Sequence, residues 1–267
     1  HPFISGNKLF KLKYNLIEAK KLGHKTLLTF GGAYSNHILA TAFAVRESGF
    51  RSIGVIRGEE HLPLNPTLYL ARKNGMKLHY VSRNDYQLKT TAHFLSKLES
   101  KFGDFYLLPE GGTNMLAIKG TAEILDINDT QDYVCCAAGT GGTIAGIINS
   151  TNKNQKVIGF PAIKIFTELE RDICSWVSKS NYKLINNYLC GGYAKLTNDL
   201  VKFINNFHKT QNIPLDAVYT GKMMLIIMDL VAKDYFPKGS SVLAIHTGGL
   251  QGNKGMNNRF GLQLPID

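Results

Sequence analysis

Lys8 is the side chain whose type and position most directly suggest chemistry. It lies in the stretch Ser5-Gly6-Asn7-Lys8, ahead of apolar residues that recur at steps of three and four, as one buried helical face requires: Leu9, Leu12, Leu16, Ile17 and Ala19. This pattern predicts a helix that reaches about Leu22, with Lys8 in its first turn. A cation there opposes the positive end of the helix dipole, which favours loss of its proton. A neutral amine can attack a carbonyl group, although a lone lysine is more often a solvated surface charge.

A second candidate site, for an anion, is the segment Gly139-Thr140-Gly141-Gly142-Thr143. Because side chains are missing, backbone N–H groups can approach an anion, and the helix that follows adds its positive end and the threonine hydroxyls. The segment lacks the lysine of a nucleotide P-loop and the full spacing of a dinucleotide fold, so a single phosphate fits better than a nucleotide. A tight turn without a ligand explains the same glycines, and the spacing alone leaves both interpretations open.

The segment Gly32-Ala33-Tyr34-Ser35-Asn36-His37 is a third candidate, for a carboxylate. It offers hydroxyl, amide and imidazole donors beside the N–H groups of a helix start. The alternative is that Ser35 or Asn36 only caps the helix, which is the commoner role of such residues. His37 taken alone is interpreted as a hydrogen-bonded interior histidine.

Apolar strand patterns alternate with helical patterns along the chain. Strands are predicted at residues 26–30, 52–56, 77–81, 105–108, 133–137, 157–160 and 241–245. One helix is predicted after the turn that follows the first strand, ending at about residue 48. Further helices are predicted at residues 67–74, 84–101, 115–125, 144–149, 166–179, 198–209 and 221–235. The alternation predicts an α/β fold with parallel sheets and helices on their faces, and it places the glycine-rich turns at strand ends, where such sheets bind ligands.

Composition and charge exclude several classes of protein. The chain has 267 residues, of which 44% are hydrophobic, so one or two domains with a large core are expected. No apolar run is long enough for a membrane span, and no signal peptide is recognised. The net charge of +11 is spread over many segments without a basic block, so we expect small anions as ligands and neither nucleic acid nor membrane as a partner.

The cysteines predict a reducing compartment. Cys135, Cys136, Cys174 and Cys190 lack a paired Cys-x-x-Cys spacing, and the first two are adjacent in an apolar strand pattern. All four are interpreted as reduced, buried core residues and not as a disulfide framework or a metal site. The sequence therefore predicts a cytoplasmic protein without a bound metal.

A reactive lysine, a site for one phosphate and a carboxylate-binding turn together describe pyridoxal phosphate chemistry on an amino acid. The sequence resembles the fold-type II pyridoxal-phosphate enzymes, in particular the family of 1-aminocyclopropane-1-carboxylate deaminase and D-cysteine desulfhydrase. The segments that match follow the family's order and cover nearly the whole chain: Ser5-Gly6-Asn7-Lys8, Gly31-Gly32-Ala33-Tyr34-Ser35-Asn36-His37, Pro109-Glu110-Gly111-Gly112-Thr113-Asn114, Gly139-Thr140-Gly141-Gly142-Thr143, Tyr219-Thr220-Gly221-Lys222 and His246-Thr247-Gly248-Gly249.

The resemblance implies an architecture for the chain. It is a tryptophan synthase β-like fold of two three-layer α/β domains, each with an open parallel sheet, and the cofactor lies in the cleft between them. The smaller, inserted domain is expected at residues 12–115, and the larger, cofactor-binding domain at residues 1–11 and 116–267. Members of this family are commonly homodimers, so a homodimer is expected.

The resemblance also implies a role for each matching residue. Lys8 carries pyridoxal 5'-phosphate as a Schiff base and moves protons at the substrate Cα. Asn36 binds the phenolic oxygen of the cofactor, and residues 139–143 bind its phosphate. Ser35 binds the substrate carboxylate or assists proton transfer, and Asn36 and His37 are expected beside the substrate. Four further residues complete the site: Tyr193 and Tyr219 flank the substrate, and Thr220 and Thr247 lie near the cofactor ring.

Two hydroxyl residues favour one substrate class within the family. The deaminase has a glutamate at the position of Thr220 and an apolar residue at that of Thr247, and a carboxylate beside the pyridine nitrogen makes the ring a stronger electron sink. The sequence therefore predicts α,β-elimination from D-cysteine, which gives pyruvate, ammonia and hydrogen sulfide. Two alternatives stay open: 1-aminocyclopropane-1-carboxylate deamination to 2-oxobutyrate, and a catalytically silent protein that binds an anion or a partner on the same fold.

Overall fold

A computed structural model describes residues 1–162, 166–186 and 195–266 of the chain. By their contacts these residues divide into two compact units, unit 1 (His1–Ala117) and unit 2 (Ile118–Asp267). Each unit contains a four-stranded sheet in which all paired strands run parallel. The predicted α/β class with parallel sheets is therefore confirmed.

Unit 1 places its first strand inside the sheet. The strands are β1 (Thr26–Gly31), β2 (Arg51–Arg57), β3 (Lys77–Val81) and β4 (Tyr106–Leu108), in the order β3-β2-β1-β4. The helices are α1 (Asn7–Lys21), α2 (Asn36–Glu47), α3 (Pro66–Lys73), α4 (Arg83–Gln87), α5 (Ala92–Phe102) and α6 (Met115–Thr121), the last of which spans the boundary between the units. All residues of β1 are buried, as expected for a strand covered on both faces.

Unit 2 repeats this arrangement with β5 (Tyr133–Ala138), β6 (Lys156–Pro161), β7 (Tyr182–Leu184) and β8 (Val242–Ile245), in the order β7-β6-β5-β8. Its helices are α7 (Gly142–Ser150), α8 (Phe166–Trp176), α9 (Asn198–Gln211), α10 (Thr220–Ala232) and α11 (Gln251–Phe260). Side chains of β5 alternate between two core clusters: Val134 packs with α7 and α8 on one face, and Cys135 packs with α10 on the other. The helices thus cover both faces of the sheet.

The buried face of α1 differs from the prediction. Leu9 and Ile17 are 51% and 56% exposed, whereas the polar residues Lys11 and Asn15 are 2% and 0% exposed. The prediction of a wholly apolar buried face was therefore wrong in part, because hydrogen bonds inside unit 1 satisfy the two polar side chains and decide which face turns inward.

Three elements depart from the predicted pattern. The helix predicted over residues 84–101 is two helices, because Thr91 caps a new one: its Oγ1 accepts from Phe94 N at 3.3 Å. Strand β7 was not predicted, since its three residues, Tyr182–Leu184, are too few for a pattern. Helix α11 was not predicted because its sequence is rich in asparagine and glycine, which form helices poorly.

The first eleven residues lie in unit 1 by their contacts. Ile4 is buried in the same core cluster as Leu12 and Leu27, and α1 continues unbroken across the expected boundary at residue 12. This differs from the expected division, in which residues 1–11 join the larger domain, and the domain assignment by resemblance stays a prediction. Among the described residues, no helix has both the length and the apolar character needed to cross a membrane.

Candidate active site

Lys8 is the second residue of α1, as the sequence predicts. Gly6 precedes the helix with a φ of 57°, a left-handed conformation that favours glycine. Burial lowers the pKa of the Lys8 amine from 10.5 to about 8. Near neutral pH this amine is unprotonated in a far larger fraction of molecules than an exposed lysine, which makes it a competent nucleophile.

His37 is buried and neutral at the start of α2. The single hydroxyl hydrogen of Thr29 is donated to Leu108 O at 2.9 Å, so the same oxygen accepts from His37 Nε2 at 2.8 Å. Nδ1 is therefore the unprotonated nitrogen, and it lies 3.4 Å from Thr41 Oγ1. Burial and then the charges of Lys8 and Lys11 hold the pKa of His37 well below its usual value of 6.5.

The ring of His37 leaves no space for a side chain at Gly112. A Cβ at that glycine, whose φ is 68°, would lie 2.7 Å from the imidazole Cε1. With 2% exposure and both nitrogens engaged within unit 1, the imidazole fits the interior interpretation of the sequence. The role of His37 in binding the substrate stays a prediction. It would require the hydrogen bonds of the imidazole to Thr29 and Thr41 to rearrange.

A buried polar network holds α1 in place one turn beyond Lys8. Lys11 Nζ donates to Gly111 O at 3.0 Å and to Thr113 Oγ1 at 2.8 Å. Asn15 Oδ1 accepts from Tyr106 OH at 3.0 Å and from Asn114 Nδ2 at 2.7 Å. Because unmet buried polar groups are costly, the network fixes α1 against the loop after β4.

The turn after β1 is the segment predicted to bind a carboxylate. Ser35 is the N-cap residue of α2, and its Oγ accepts from Ile38 N at 3.3 Å. Capping uses an oxygen lone pair, so the hydroxyl hydrogen stays available to a ligand. Gly31 must be a glycine here, since a Cβ on it would lie 2.8 Å from Ser35 Oγ. Asn36, the other predicted donor, is the first residue of the helix.

The glycine-rich loop of unit 2 follows β5 and leads into α7. Gly141 is the N-cap residue with a φ of 82°, and having no side chain it caps no N–H group of the helix. A Cβ there would also lie 3.1 Å from Ile173 and Leu169. Thr121 anchors the loop, since its hydroxyl donates to Gly142 O at 2.9 Å. Backbone N–H groups at a helix start, without a side chain to compete, suit a phosphate.

Tyr219 lies against the same loop. Gly139 faces the phenol ring, and a Cβ on this glycine would be 3.2 Å from Tyr219 Cε1 and 3.4 Å from its hydroxyl oxygen. Unit 2 therefore brings the predicted tyrosine and the predicted phosphate loop together. Thr140 is exposed beside this contact, and Thr143 is buried in the first turn of α7.

Thr220 is fully buried, and its hydroxyl is committed to Asp216. Thr220 Oγ1 donates to Asp216 Oδ2 at 2.7 Å and accepts from Asp216 N at 2.9 Å. The carboxylate also accepts from the N–H groups of Val218, Tyr219 and Thr220 at 2.8 to 2.9 Å. Asp216 thereby caps the start of α10 and fixes the backbone of Tyr219. For a cofactor atom, the Thr220 hydroxyl could only be an acceptor.

The loop after β8 carries Thr247. His246 Nδ1 accepts from Gly248 N at 3.1 Å, so His246 Nε2 donates to Pro214 O at 2.8 Å. These two hydrogen bonds of His246 hold the loop against the segment that precedes Asp216. Asn253 in α11 holds the chain on both sides of Asp216, since its Nδ2 donates to Leu215 O at 2.9 Å and its Oδ1 accepts from Ala217 N at 3.0 Å.

One predicted site tyrosine and the four cysteines have different outcomes. Tyr193 and Cys190 lie outside the described residues. Cys135 and Cys136 are buried as predicted, and burial raises the pKa of the Cys135 thiol to about 12. The predicted burial of Cys174 was wrong, since this free cysteine of α8 is exposed.

Comparison with known proteins identifies the family. Residues 1–248 match the model of the family described as pyridoxal-phosphate dependent enzyme. The chain belongs to this family. The predicted resemblance and the predicted cofactor are therefore confirmed.

Three individual proteins of known name or structure are similar to this chain. A protein of Pyrococcus abyssi with the provisional name 1-aminocyclopropane-1-carboxylate deaminase is 32% identical over 93% of this chain and 81% of its own length. The bifunctional mitochondrial D-cysteine desulfhydrase/1-aminocyclopropane-1-carboxylate deaminase of Arabidopsis thaliana is 30% identical over 93% of this chain and 70% of its own length. A crystal structure described as an ACC deaminase homologue superposes with a TM-score of 0.83 at 27% identity, covering 96% of this chain and 83% of that one.

The described residues fit pyridoxal phosphate. Residues 139–143 form a loop in which a Cβ at Gly139 or Gly141 would crowd its neighbours, which is the form of a backbone phosphate site. The Lys8 amine has the lowered pKa that covalent attachment of an aldehyde needs. When bound, the cofactor supplies an electron sink for the substrate Cα.

Sequence reasoning missed the residues that support these groups. Asp216, Asn253 and Thr121 are buried polar side chains that hold the loops around Tyr219 and Gly142. A usable signal existed for Asp216, since an aspartate shortly before a helical pattern is typical of an N-terminal cap. Thr121 and Asn253 gave no such signal, because their partners are distant in sequence.

Proposed function

We propose that this chain catalyses α,β-elimination from D-cysteine, with water consumed and pyruvate, ammonia and hydrogen sulfide released. The observation that carries the proposal is the Lys8 amine, whose pKa burial lowers to about 8. Lys8 would hold the cofactor and, once released, take the proton from the substrate Cα. Ser35 would donate its hydroxyl hydrogen to the substrate carboxylate.

The hydroxyl at Thr220 supports elimination over ring opening. Thr220 is uncharged, and the Asp216 carboxylate beside it is satisfied by four donors. If Thr220 adjoins the pyridine nitrogen, as the resemblance implies, it presents no full negative charge to that nitrogen. Expelling a thiolate, whose acid has a pKa of about 8.5, requires a weaker electron sink than opening a carbon ring.

A substrate panel tests the proposal. Purified protein loaded with pyridoxal phosphate is incubated separately with D-cysteine, L-cysteine and 1-aminocyclopropane-1-carboxylate, and sulfide, pyruvate and 2-oxobutyrate are assayed. Sulfide and pyruvate from the D-isomer alone are expected. A protein that binds no cofactor, or that leaves all three compounds unchanged, would contradict the proposal.

Substitution of the lysine tests its role. Lys8→Ala is expected to lower turnover by about 10³-fold or more, because nucleophile and proton acceptor are lost together. It should also remove the visible absorbance of the lysine-bound cofactor. The matched control is Lys13→Ala, an exposed lysine of the same helix, which should keep both properties. Retained D-cysteine cleavage in Lys8→Ala would refute the assignment of Lys8.

A second candidate function is deamination of 1-aminocyclopropane-1-carboxylate. It is favoured by the relative of Pyrococcus abyssi and by the homologous crystal structure, both of which are named for this activity. In the substrate panel it would appear as 2-oxobutyrate from the cyclopropane compound, with little sulfide from D-cysteine.

The wider setting of the protein is part of the same proposal. We expect a cytoplasmic homodimer that acts on a small amino acid. The three cysteines among the described residues form no disulfide, which supports a reducing compartment. Sedimentation equilibrium of the cofactor-loaded protein tests the dimer, for which a mass of one chain, 29.6 kDa, would be the contrary result.

A further inference from the structure

Arg57 lies beside the turn that leads to Ser35. It ends β2 at the carboxyl edge of the unit 1 sheet, where β1 pairs Gly31 with Ile56. The guanidinium reaches over the turn, since a Cβ built on Gly32 would lie 3.6 Å from Arg57 Nη2. Open α/β sheets bind their ligands at this edge, so the guanidinium lies where a substrate is expected.

An aromatic ring supports the Arg57 guanidinium. Its Cζ lies 5.7 Å from the centroid of the Tyr86 ring, and Tyr86 is buried. A planar guanidinium packed on a ring keeps its N–H groups directed outward, ready for a planar anion. The position of the cation is thus set by the protein before any ligand arrives.

The neighbouring carboxylate is already in use. Glu110 Oε1 accepts from Tyr86 OH at 2.8 Å, and Glu110 Oε2 pairs with Lys89 Nζ at 3.3 Å. Within the described part of the chain, no carboxylate pairs with Arg57 and no acceptor takes a hydrogen bond from it. Arg57 is exposed, so its charge is solvated but not neutralised by the protein.

We propose that Arg57 is a specificity residue that binds a second anionic group on a ligand, so that besides D-cysteine the site accepts amino acids with a negatively charged side chain in preference to their uncharged analogues. The inference rests on the proposed function, in which Ser35 holds the α-carboxylate. Gly32, between the two groups, has no side chain to block a ligand that spans them. Guanidinium and carboxylate can form two parallel hydrogen bonds, which distinguishes an acid from its amide.

Paired ligands that differ only in charge test this specificity. Cofactor-loaded protein is titrated with D-aspartate and D-asparagine, and in parallel with the L-isomers, with the dissociation constant read from the change in cofactor absorbance. For one handedness, the acid is expected to bind about tenfold or more tightly than the amide. The ratio should fall at high salt, because the arginine is exposed.

Variants assign the preference to Arg57. Arg57→Gln should reduce the ratio of acid to amide affinity to about one, and Arg57→Lys should keep part of it, since the charge remains without the planar fork. Arg51→Gln is the matched control: Arg51 is an exposed arginine at the opposite end of the same strand, so the ratio should be unchanged. Equal affinities in the wild type, or a preference that survives in Arg57→Gln, would overturn the inference.

The outcome separates this inference from the proposed function. D-cysteine cleavage without any preference for the acid would support the reaction and refute the role of Arg57. A preference that Arg57→Gln removes, in a protein that cleaves neither D-cysteine nor the cyclopropane compound, would support Arg57 and refute the proposed reaction.

Discussion

The turn of unit 1 that is predicted to bind a carboxylate and the turn of unit 2 that is predicted to bind a phosphate begin alike and offer a ligand different groups. Each follows an inner strand of a four-stranded parallel sheet, β1 in unit 1 and β5 in unit 2. In unit 1, Ser35 caps α2 with its side chain and keeps a hydroxyl hydrogen for a ligand. In unit 2, Gly141 opens α7 without a side chain, so the cap residue itself offers a ligand only its backbone.

The two turns would therefore recognise an anion by different means. A hydroxyl at the cap binds a ligand through one side chain, and substitution of that side chain leaves the backbone conformation unchanged. A loop that binds through its backbone depends on the absence of side chains, so any added atom changes the path itself. We therefore expect substitutions in the two turns to differ in their effects on stability and on binding.

The largest effect on stability is expected in unit 2, for Gly141→Ala. Its φ of 82° disfavours alanine, and the new Cβ would lie 3.1 Å from Ile173 and Leu169. We expect a loss of about 3 kcal/mol in the free energy of unfolding, from backbone strain and overpacking together. The matched control is Gly239→Ala, with a φ of 88° and no atom within 4 Å of its Cβ, which should lose only about 1 kcal/mol. Equal losses in urea unfolding would contradict the packing argument.

Thr220→Val extends the comparison to the start of α10, where a buried carboxylate makes the cap. Valine keeps the shape but removes one of the two hydrogen bonds to Asp216 Oδ2 and leaves Asp216 N without its acceptor. We expect a loss of about 2 kcal/mol in the free energy of unfolding. Thr220→Ser keeps the hydroxyl and should lose about 1 kcal/mol, the cost of one buried methyl group. A valine variant more stable than the serine variant would show that the hydrogen bonds matter less than packing.

Ser35→Ala tests the side-chain turn of unit 1. Loss of the cap is expected to cost about 1 kcal/mol in the free energy of unfolding. Thr91→Ala removes a cap with the same 3.3 Å bond elsewhere in unit 1 and should cost a similar amount. Only Ser35→Ala should also weaken amino acid binding, measured by titrating the cofactor absorbance. If both variants bind equally well, Ser35 is a cap and nothing more.

The smallest effect concerns the pH dependence that Lys8 gives to unit 1. The folded pKa of about 8 lies below the unfolded value of 10.5, so the unfolded chain binds more protons between these limits. Burial of Lys8 therefore costs stability below pH 8, and the cost disappears as pH rises toward 10.5. In cofactor-free protein, Lys8→Met should be more stable than wild type at pH 7, by an amount of order 1 kcal/mol after solvent screening. A difference that stays constant up to pH 10.5 would be the contrary result.

Local signals were strong enough to predict much of the fold. Strand β3 (Lys77–Val81) has the predicted bounds, and the helix that carries Lys8 begins as expected. The alternation of strands and helices predicted the parallel sheets, because parallel strands need a crossover between them. These features follow from neighbours along the chain, which a sequence records directly.

Features that depend on distant partners could not be predicted. Helix α11 is a poor helix by propensity, and its buried Asn253 bonds to Ala217 and Pro265, which lie far along the chain or beyond the helix. Taken alone, His37 is interpreted as an interior histidine, but its partners Thr29 and Thr41 could not be named from the sequence. The roles predicted for the site residues rest on the resemblance to the family, and the polar side chains that hold the loops depend on tertiary contacts.

The network beneath α1 determines more than the location of that helix. Lys8, Lys11 and Asn15 are spaced by three and four residues, so they share one side of the helix. The bonds of Lys11 to Gly111 and of Asn15 to Asn114 therefore fix the rotation of α1 about its own axis. Each residue of a helix turns the chain by about 100°, so a roll of one position would direct the Lys8 amine to another side. The direction of the Lys8 amine therefore depends on the rotation of α1, which Lys11 and Asn15 set.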